Sequence, residues 1–269
     1  MRLSVSSWSF HRELANTRNL KATERLDLAG FIRLLRERYA VEGLELWSGH
    51  LLRPQSEDYL ADLAAIIADS GLDLANLACD AAKVGLEDPA ARKQNLRALK
   101  RWIETAAGLG SRAIRINTAA AGDRPPEVTL RAVVADYRAL APIALSRGLT
   151  LLLENHGGLS SDPEMIPRIF KGVGRGRLRA CPDNGNFPPE LRDAGLRAMV
   201  PHMAMAHLKT LDFDASGNEP NFDIPAIVAL YRQGGFDGFL SIEYEGKGDQ
   251  YEGVEKSVRL ARRALGAAP

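Results

Sequence analysis

The chain repeatedly passes from a helical pattern, through a glycine, into a short run of aliphatic residues. Four such junctions read DSGLDLANL, GLGSRAIRI, SRGLTLLL and QGGFDGFLSI. Glycine ends a helix readily because it accepts the left-handed backbone conformation, and strands that alternate with helices pair in parallel. This punctuation predicts βα units assembled around a parallel sheet.

Eight segments have the apolar composition and the length of buried strands. They are residues 2–7, 41–47, 72–78, 112–117, 149–154, 178–183, 202–209 and 238–243. Apolar residues at helical spacing predict helices between most of them. These helical segments are 31–39, 59–71, 95–110, 130–148, 224–235 and 254–266.

Eight βα units in 269 residues match the size of a closed barrel. A doubly wound open sheet is the alternative, but VSSWSF follows the first strand where that fold has a glycine-rich turn. No linker or shift in composition divides the chain. We therefore predict a single α/β domain over residues 1–269, a (β/α)₈ TIM barrel.

Basic and acidic residues are nearly equal in number, so the chain has no overall electrostatic attraction for a polyanion. Lys and Arg number 35 and Asp and Glu number 34, so the formal net charge is +1. The two cysteines provide no disulfide framework, and no apolar run is long enough to span a bilayer. We expect a cytoplasmic protein with a small-molecule substrate and neither a nucleic-acid nor a membrane partner, and a homo-oligomer stays open.

Four consecutive predicted strands each carry a ligand-type residue near the carboxyl end, where barrel active sites lie. These residues are Glu154, Asp183, His207 and Glu243. A single acid at a strand end is usually a cap or an ion-pair partner, but four on successive strands form a pattern. Three converging carboxylates repel one another, which implies raised pKa values, bound cations or a wrong fold assignment, and a divalent metal is the simplest solution. Carboxylates with one imidazole suit a divalent metal, with Mn²⁺ as first choice and Mg²⁺, Co²⁺ or Zn²⁺ as alternatives.

The segments LLLENHGG, CPDNGNF, AHLKTLD and SIEYEG resemble the xylose-isomerase-like barrel superfamily, which includes ketose 3-epimerases, hydroxypyruvate isomerase and inosose dehydratases. The resemblance covers essentially the whole chain. It implies that Glu154, Asp183, His207 and Glu243 are metal ligands, and that the two glutamates double as the acid/base pair. Many epimerases of the group have a substrate-binding histidine three residues after the aspartate, and here that position is Asn186.

Such a site suits proton abstraction alpha to a carbonyl, with the metal stabilising the enediolate charge. Return of the proton to the same carbon on its other face gives an epimer, and return to the neighbouring carbon gives an isomer. We therefore expect a sugar isomerase or epimerase. Loss of a β-hydroxyl from the same intermediate would instead give a dehydratase, a lyase acting on a keto-polyol or inosose-like substrate.

Further residues are candidates for contacts with a carbohydrate substrate. Lys209 shares a strand face with His207, and Glu245 rivals Glu243 as acid/base residue because it points the same way. The candidates for substrate binding are His156, Asn186, Lys209, Trp8, Trp47, Glu45 and His50.

Two other functions are alternatives to this chemistry. Apurinic endonucleases of the same superfamily combine more histidines with a basic DNA-facing surface, whereas this chain has five histidines and balanced charge. A non-catalytic sugar-binding barrel would bind a ligand without proton exchange. Retention of every ligand-type residue disfavours it.

Overall fold

Eight strands alternate with eight α-helices in the computed structural model, which describes residues 1–19, 26–51, 56–120 and 125–266. The strands are β1 Arg2–Ser6, β2 Gly43–Trp47, β3 Asp73–Val84, β4 Ala113–Thr118, β5 Thr150–Glu154, β6 Arg179–Cys181, β7 Met205–Thr210 and β8 Phe239–Tyr244. The helices are α1 Leu28–Leu34, α2 Glu57–Ser70, α3 Pro89–Gly108, α4 Pro126–Ser146, α5 Met165–Val173, α6 Arg192–Met199, α7 Ile224–Gln233 and α8 Gln250–Leu265.

The strands form one parallel barrel. Their order is β6-β5-β4-β3-β2-β1-β8-β7, and single parallel bridges between residues 180 and 203 and between residues 183 and 207 join the two ends. Across this seam the Ala204 amide donates to the Ala180 carbonyl at 3.0 Å, and the His207 amide donates to the Pro182 carbonyl at 2.9 Å. The predicted TIM barrel is therefore confirmed.

All eight predicted strands are confirmed, with changes at their ends. The sixth stops at Cys181 because Pro182 has no amide hydrogen to donate to the sheet. Two helices were not predicted, α5 and α6. Both are short, α5 contains Pro167, and neither begins with a side-chain cap.

Side chains that point into the barrel change from apolar to polar along its axis. The lower layer is packed with Ala75, Ala113, Leu152, Cys181, Met205 and Phe239. Inward positions recur every second residue of a strand. Two residues further along β4, β5 and β7 are Arg115, Glu154 and His207, all buried. The apolar layer therefore lies directly below a group of buried polar side chains at the carboxyl end of the barrel.

Candidate metal centre and active site

Four ligand-type side chains meet above the apolar layer. Glu154 ends β5, Asp183 follows β6, His207 lies within β7, and Glu243 lies near the end of β8. One ligand atom of each lies within 4.8 Å of the others, and all four side chains are buried. The structure thus brings together all four residues expected to bind metal.

The His207 imidazole contacts carboxylates through both ring nitrogens. Nδ1 faces the cluster, 2.9 Å from Oε1 of Glu154 and 3.6 Å from Oε1 of Glu243. Nε2 lies 3.0 Å from Oε1 of Glu45, which also accepts a 2.9 Å hydrogen bond from the Asn76 amide. Burial opposes the charged imidazole, but the carboxylates around it outweigh burial and hold the pKa of His207 well above its usual value.

Arg115 of β4 lies between two carboxylates and is 4% exposed. Its Nε is 3.2 Å from Oε2 of Glu154, and its Nη1 forms an ion pair with Asp80 of β3. Burial disfavours the Glu154 carboxylate, yet the charges of Arg115 and His207 prevail and hold the pKa of Glu154 well below its usual value. Glu154 is therefore ionised at neutral pH.

Lys209 is the second internal cation of the site. Its Nζ lies 2.9 Å from Oδ2 of Asp183, 3.3 Å from Oε1 of Glu245 and 3.7 Å from Oε2 of Glu243. Burial would lower the pKa of Lys209, but these carboxylates raise it, so the ammonium stays charged. Burial raises the pKa of Glu243 to about 8 despite the nearby cations.

The donor set fits a divalent cation. Oδ2 of Asp183 is buried and has no aligned hydrogen bond, although the Lys209 ammonium is near it. Carboxylate oxygens and one imidazole nitrogen are the ligands that Mn²⁺, Mg²⁺ and Zn²⁺ accept in enzymes. Glu154, Asp183, His207 and Glu243 would hold the ion.

Two asparagine side chains connect neighbouring segments of the barrel beyond the point where regular sheet pairing ends. Asn155 accepts from the Asp183 amide at 2.7 Å and donates to the Asp183 carbonyl at 2.9 Å. Asn184 makes the same pair of contacts with the Lys209 backbone, at 2.8 and 3.1 Å. These side chains replace backbone partners, so each ligand loop is fixed to the next strand.

A cavity opens above the four-residue cluster, and most of the predicted substrate-binding residues reach it. Trp8, Trp47, His156 and Lys209 line it. Asn186 donates to Oε1 of Glu154 at 3.2 Å and accepts from the Lys209 ammonium at 2.9 Å.

Glu45 and His50 lie elsewhere. Glu45 is completely buried below the cavity and faces His207 rather than open space. His50 bonds through Nδ1 to the Ser7 hydroxyl at 2.9 Å and packs edge-on against Trp47. It borders a separate cleft that also contains Leu14.

Three charged residues of the cavity were missed by the sequence analysis: Arg18, Asp80 and Arg115. Arg115 had a signal, because an arginine between two isoleucines in AIRIN occupies an alternating position of a strand and points inward. Asp80 also had one, as an acid that directly follows the apolar run LANLAC. Arg18 lies in a loop after β1, where no periodicity marks it.

The basic stretch of α3 borders a different cleft. Arg92, Lys93, Arg97 and Lys100 line it, and it shares no lining residue with the cavity lined by Trp8 and Lys209. Among the described helices, none has the length and apolar character required to cross a membrane.

The family model described as xylose isomerase-like TIM barrel matches residues 35–264. The chain belongs to this family. One curated relative, the C-glycoside deglycosidase alpha subunit of Arthrobacter globiformis, is 39% identical over 74 residues, which is 25% of this chain and 21% of the relative. The match thus spans about a fifth of that relative's length.

Solved structures share the fold at low sequence identity. The 3-keto-D-glucoside 4-epimerase YcjR of E. coli has a TM-score of 0.72 and 14% identity, covering 98% of this chain and 99% of its own. A probable 3-DHS dehydratase of Bacillus anthracis has a TM-score of 0.72 and 16% identity over all of both chains. A Mycobacterium smegmatis protein of this barrel class, in complex with magnesium, has a TM-score of 0.71 and 16% identity, covering 98% and 97%.

Proposed function

We propose that this protein is a divalent-metal-dependent enzyme that removes a proton alpha to a carbonyl of a carbohydrate, as a sugar isomerase or epimerase. One observation carries the proposal: Glu154 and Glu243 belong to the buried ligand cluster and also line the open cavity. They come from β5 and β8, three strands apart in the barrel, so they approach a ligand from different sides.

Each glutamate then has a role in proton transfer. One carboxylate takes the C–H proton, and the other returns a proton to the same carbon or to its neighbour. Lys209 and Asn186 form hydrogen bonds beside them and orient substrate hydroxyls. A cation bound by the cluster, with Mn²⁺ as first choice, would supply a Lewis acid that favours negative charge on the carbonyl oxygen. The magnesium found in the Mycobacterium smegmatis protein supports a divalent cation.

A lyase is the second candidate, favoured by Glu245. This third glutamate lines the cavity 3.3 Å from the Lys209 ammonium. After a carboxylate of the cluster takes the C–H proton, the electron pair forms a C=C bond and the β-substituent leaves with a proton from the Lys209 ammonium, which Glu245 holds in place. The names of two similar proteins, a dehydratase and a C-glycoside deglycosidase subunit, support this chemistry.

The test is solvent-deuterium exchange. The Mn²⁺-loaded protein is incubated in deuterated water with a panel of keto sugars and cyclic polyol ketones, and the products are read by NMR and mass spectrometry. We expect deuterium at the carbon alpha to the carbonyl of at least one compound, and its loss in Glu243→Gln. Asp183→Ala should lower the metal content measured by elemental analysis.

Glu245→Gln is the matched control. Exchange that survives in Glu243→Gln but disappears in Glu245→Gln would contradict the role of Glu243. An epimer or isomer as product supports the first candidate, and an unsaturated product or its tautomer supports the lyase. Saturable sugar binding without exchange for any compound would contradict both.

A further inference from the structure

Arg18 stands out among the cations of the active-site cavity. Arg115 is paired with Asp80, and Lys209 is paired with Asp183. The Arg18 guanidinium, in contrast, has no carboxylate within ion-pair distance in the described parts of the chain. It is therefore a positive charge at the cavity wall that the described residues leave uncompensated.

The backbone holds Arg18 in place. Oδ1 of Asn16, a residue that is 1% exposed, accepts 2.9 Å hydrogen bonds from the amides of Arg18 and Asn19. The Thr17 amide donates to the Gly49 carbonyl at 2.9 Å, which ties this turn to the loop after β2. A cation on a fixed turn loses less conformational freedom when it binds a ligand than one on a free loop.

The guanidinium lies over two indole rings. Its carbon is 5.1 Å from the Trp8 centroid and 5.2 Å from the Trp47 centroid. The rings are fixed as well, because the Trp8 indole N–H donates to Glu245 at 2.7 Å and the Trp47 indole N–H donates to Asp80 at 2.9 Å. These cation–π contacts do not use the guanidinium N–H groups, which stay available as hydrogen-bond donors. Those groups match the two oxygens of a carboxylate or phosphate.

We infer that Arg18 forms an anion subsite, and that the substrate carries a carboxylate or a phosphate at the end remote from its carbonyl. The inference rests on the proposed function, which places the carbonyl at the metal cluster. Arg18 follows β1, and β1 lies four strands from β5 in the barrel order. A sugar whose carbonyl end lies at Glu154 therefore extends its other end toward Arg18.

The test uses three matched probes: D-fructose, D-fructose 6-phosphate and D-fructuronate. Their affinities for the Mn²⁺-loaded protein are measured by calorimetry in the wild type, Arg18→Gln and Arg18→Lys. Arg147→Gln is the control, since Arg147 is an exposed arginine that pairs with Glu104. We expect one anionic probe to bind about 10-fold more tightly than D-fructose in the wild type and the control, as suits a charge-assisted bidentate contact. This preference should disappear in Arg18→Gln and be reduced in Arg18→Lys.

Equal binding of the three probes to the wild type, or no binding of any of them, would overturn the inference. So would an anion preference that persists in Arg18→Gln. Deuterium exchange measured in parallel separates the two proposals. Exchange into D-fructose without an anion preference contradicts only the subsite, whereas Arg18-dependent anion binding without exchange in any carbonyl compound contradicts only the proposed function.

Discussion

The Glu45 carboxylate and the His207 imidazole form a completely buried pair, with Oε1 of Glu45 3.0 Å from Nε2 of His207. With a cation bound at the cluster, Nδ1 would lose its proton and serve as a ligand, and the proton kept on Nε2 would donate to this carboxylate. Asn76 donates to the same oxygen and keeps Glu45 in position. Glu45 therefore orients a candidate ligand without lining the cavity.

Glu45→Gln should weaken metal binding by about 10- to 100-fold, the usual effect of losing the partner of a metal-bound histidine. The amide retains the size of the side chain but no longer accepts as a charged group. Metal affinity is measured by competition with a chelating dye, and folding by circular dichroism. Glu42→Gln is the control, because Glu42 lies at the opposite end of β2, where it accepts a hydrogen bond from the Leu3 amide at 2.9 Å. Equal metal affinity in the two variants would refute the orienting role.

Arg115→Met should lower the free energy of unfolding by about 3 to 5 kcal/mol, because it leaves Asp80 and Glu154 without their buried cation. Denaturant titration of the metal-free protein measures the change. Arg112→Met is the control, since Arg112 precedes the same strand and makes an exposed ion pair with Asp73. Its loss should cost about 1 kcal/mol or less. Similar costs for the two variants would show that Arg115 does not compensate buried charge.

His50 should make the protein less stable in acid. Burial lowers the pKa of His50 to about 3, whereas the unfolded chain titrates near its ordinary value of 6.5. Its contribution to stability is complete above pH 6.5 and is lost as the pH falls toward 3, at up to about 1.4 kcal/mol per pH unit. His50→Asn should flatten the fall in the free energy of unfolding between pH 6.5 and pH 4 by part of that slope. Parallel pH profiles for wild type and variant would exclude this contribution.

Asn155→Ala should cost about 2 to 4 kcal/mol, because it leaves the buried amide and carbonyl of Asp183 without partners. Metal affinity should fall as well, since Asp183 is then less firmly placed. Asn95→Ala removes two hydrogen bonds of similar length at α3, to Lys83 and Ala91, away from the ligand strands. It should lower stability without changing metal affinity. A loss of affinity in both variants would mean that global destabilisation explains the effect.

The barrel and the convergence of the four ligand-type residues could be predicted from the sequence, because both depend on regular spacing. Glu154 and Glu243 lie at or next to the end of an apolar strand, and alternation alone fixes the side of the barrel wall that they face. Contacts between distant loops have no such period. His50 comes three residues after Trp47, the last residue of β2. A short 3-10 turn at Ser48–His50 directs its side chain away from the cavity. The contact made by Asn155 has no such signal either, because its partner is the backbone of a residue 28 positions away.

The position of the cluster at the seam between β6 and β7 links metal binding to the closure of the barrel. The shortest strand, of three residues, meets β7 there, and Asp183 and His207 stand on the two facing edges. A cation bound by both residues would connect the two sides of the seam between β6 and β7, which single bridges join. The His207 amide donates to the Pro182 carbonyl across this seam, so binding of the ion would slow the exchange of this amide hydrogen with solvent, and metal occupancy and closure of the barrel would be coupled.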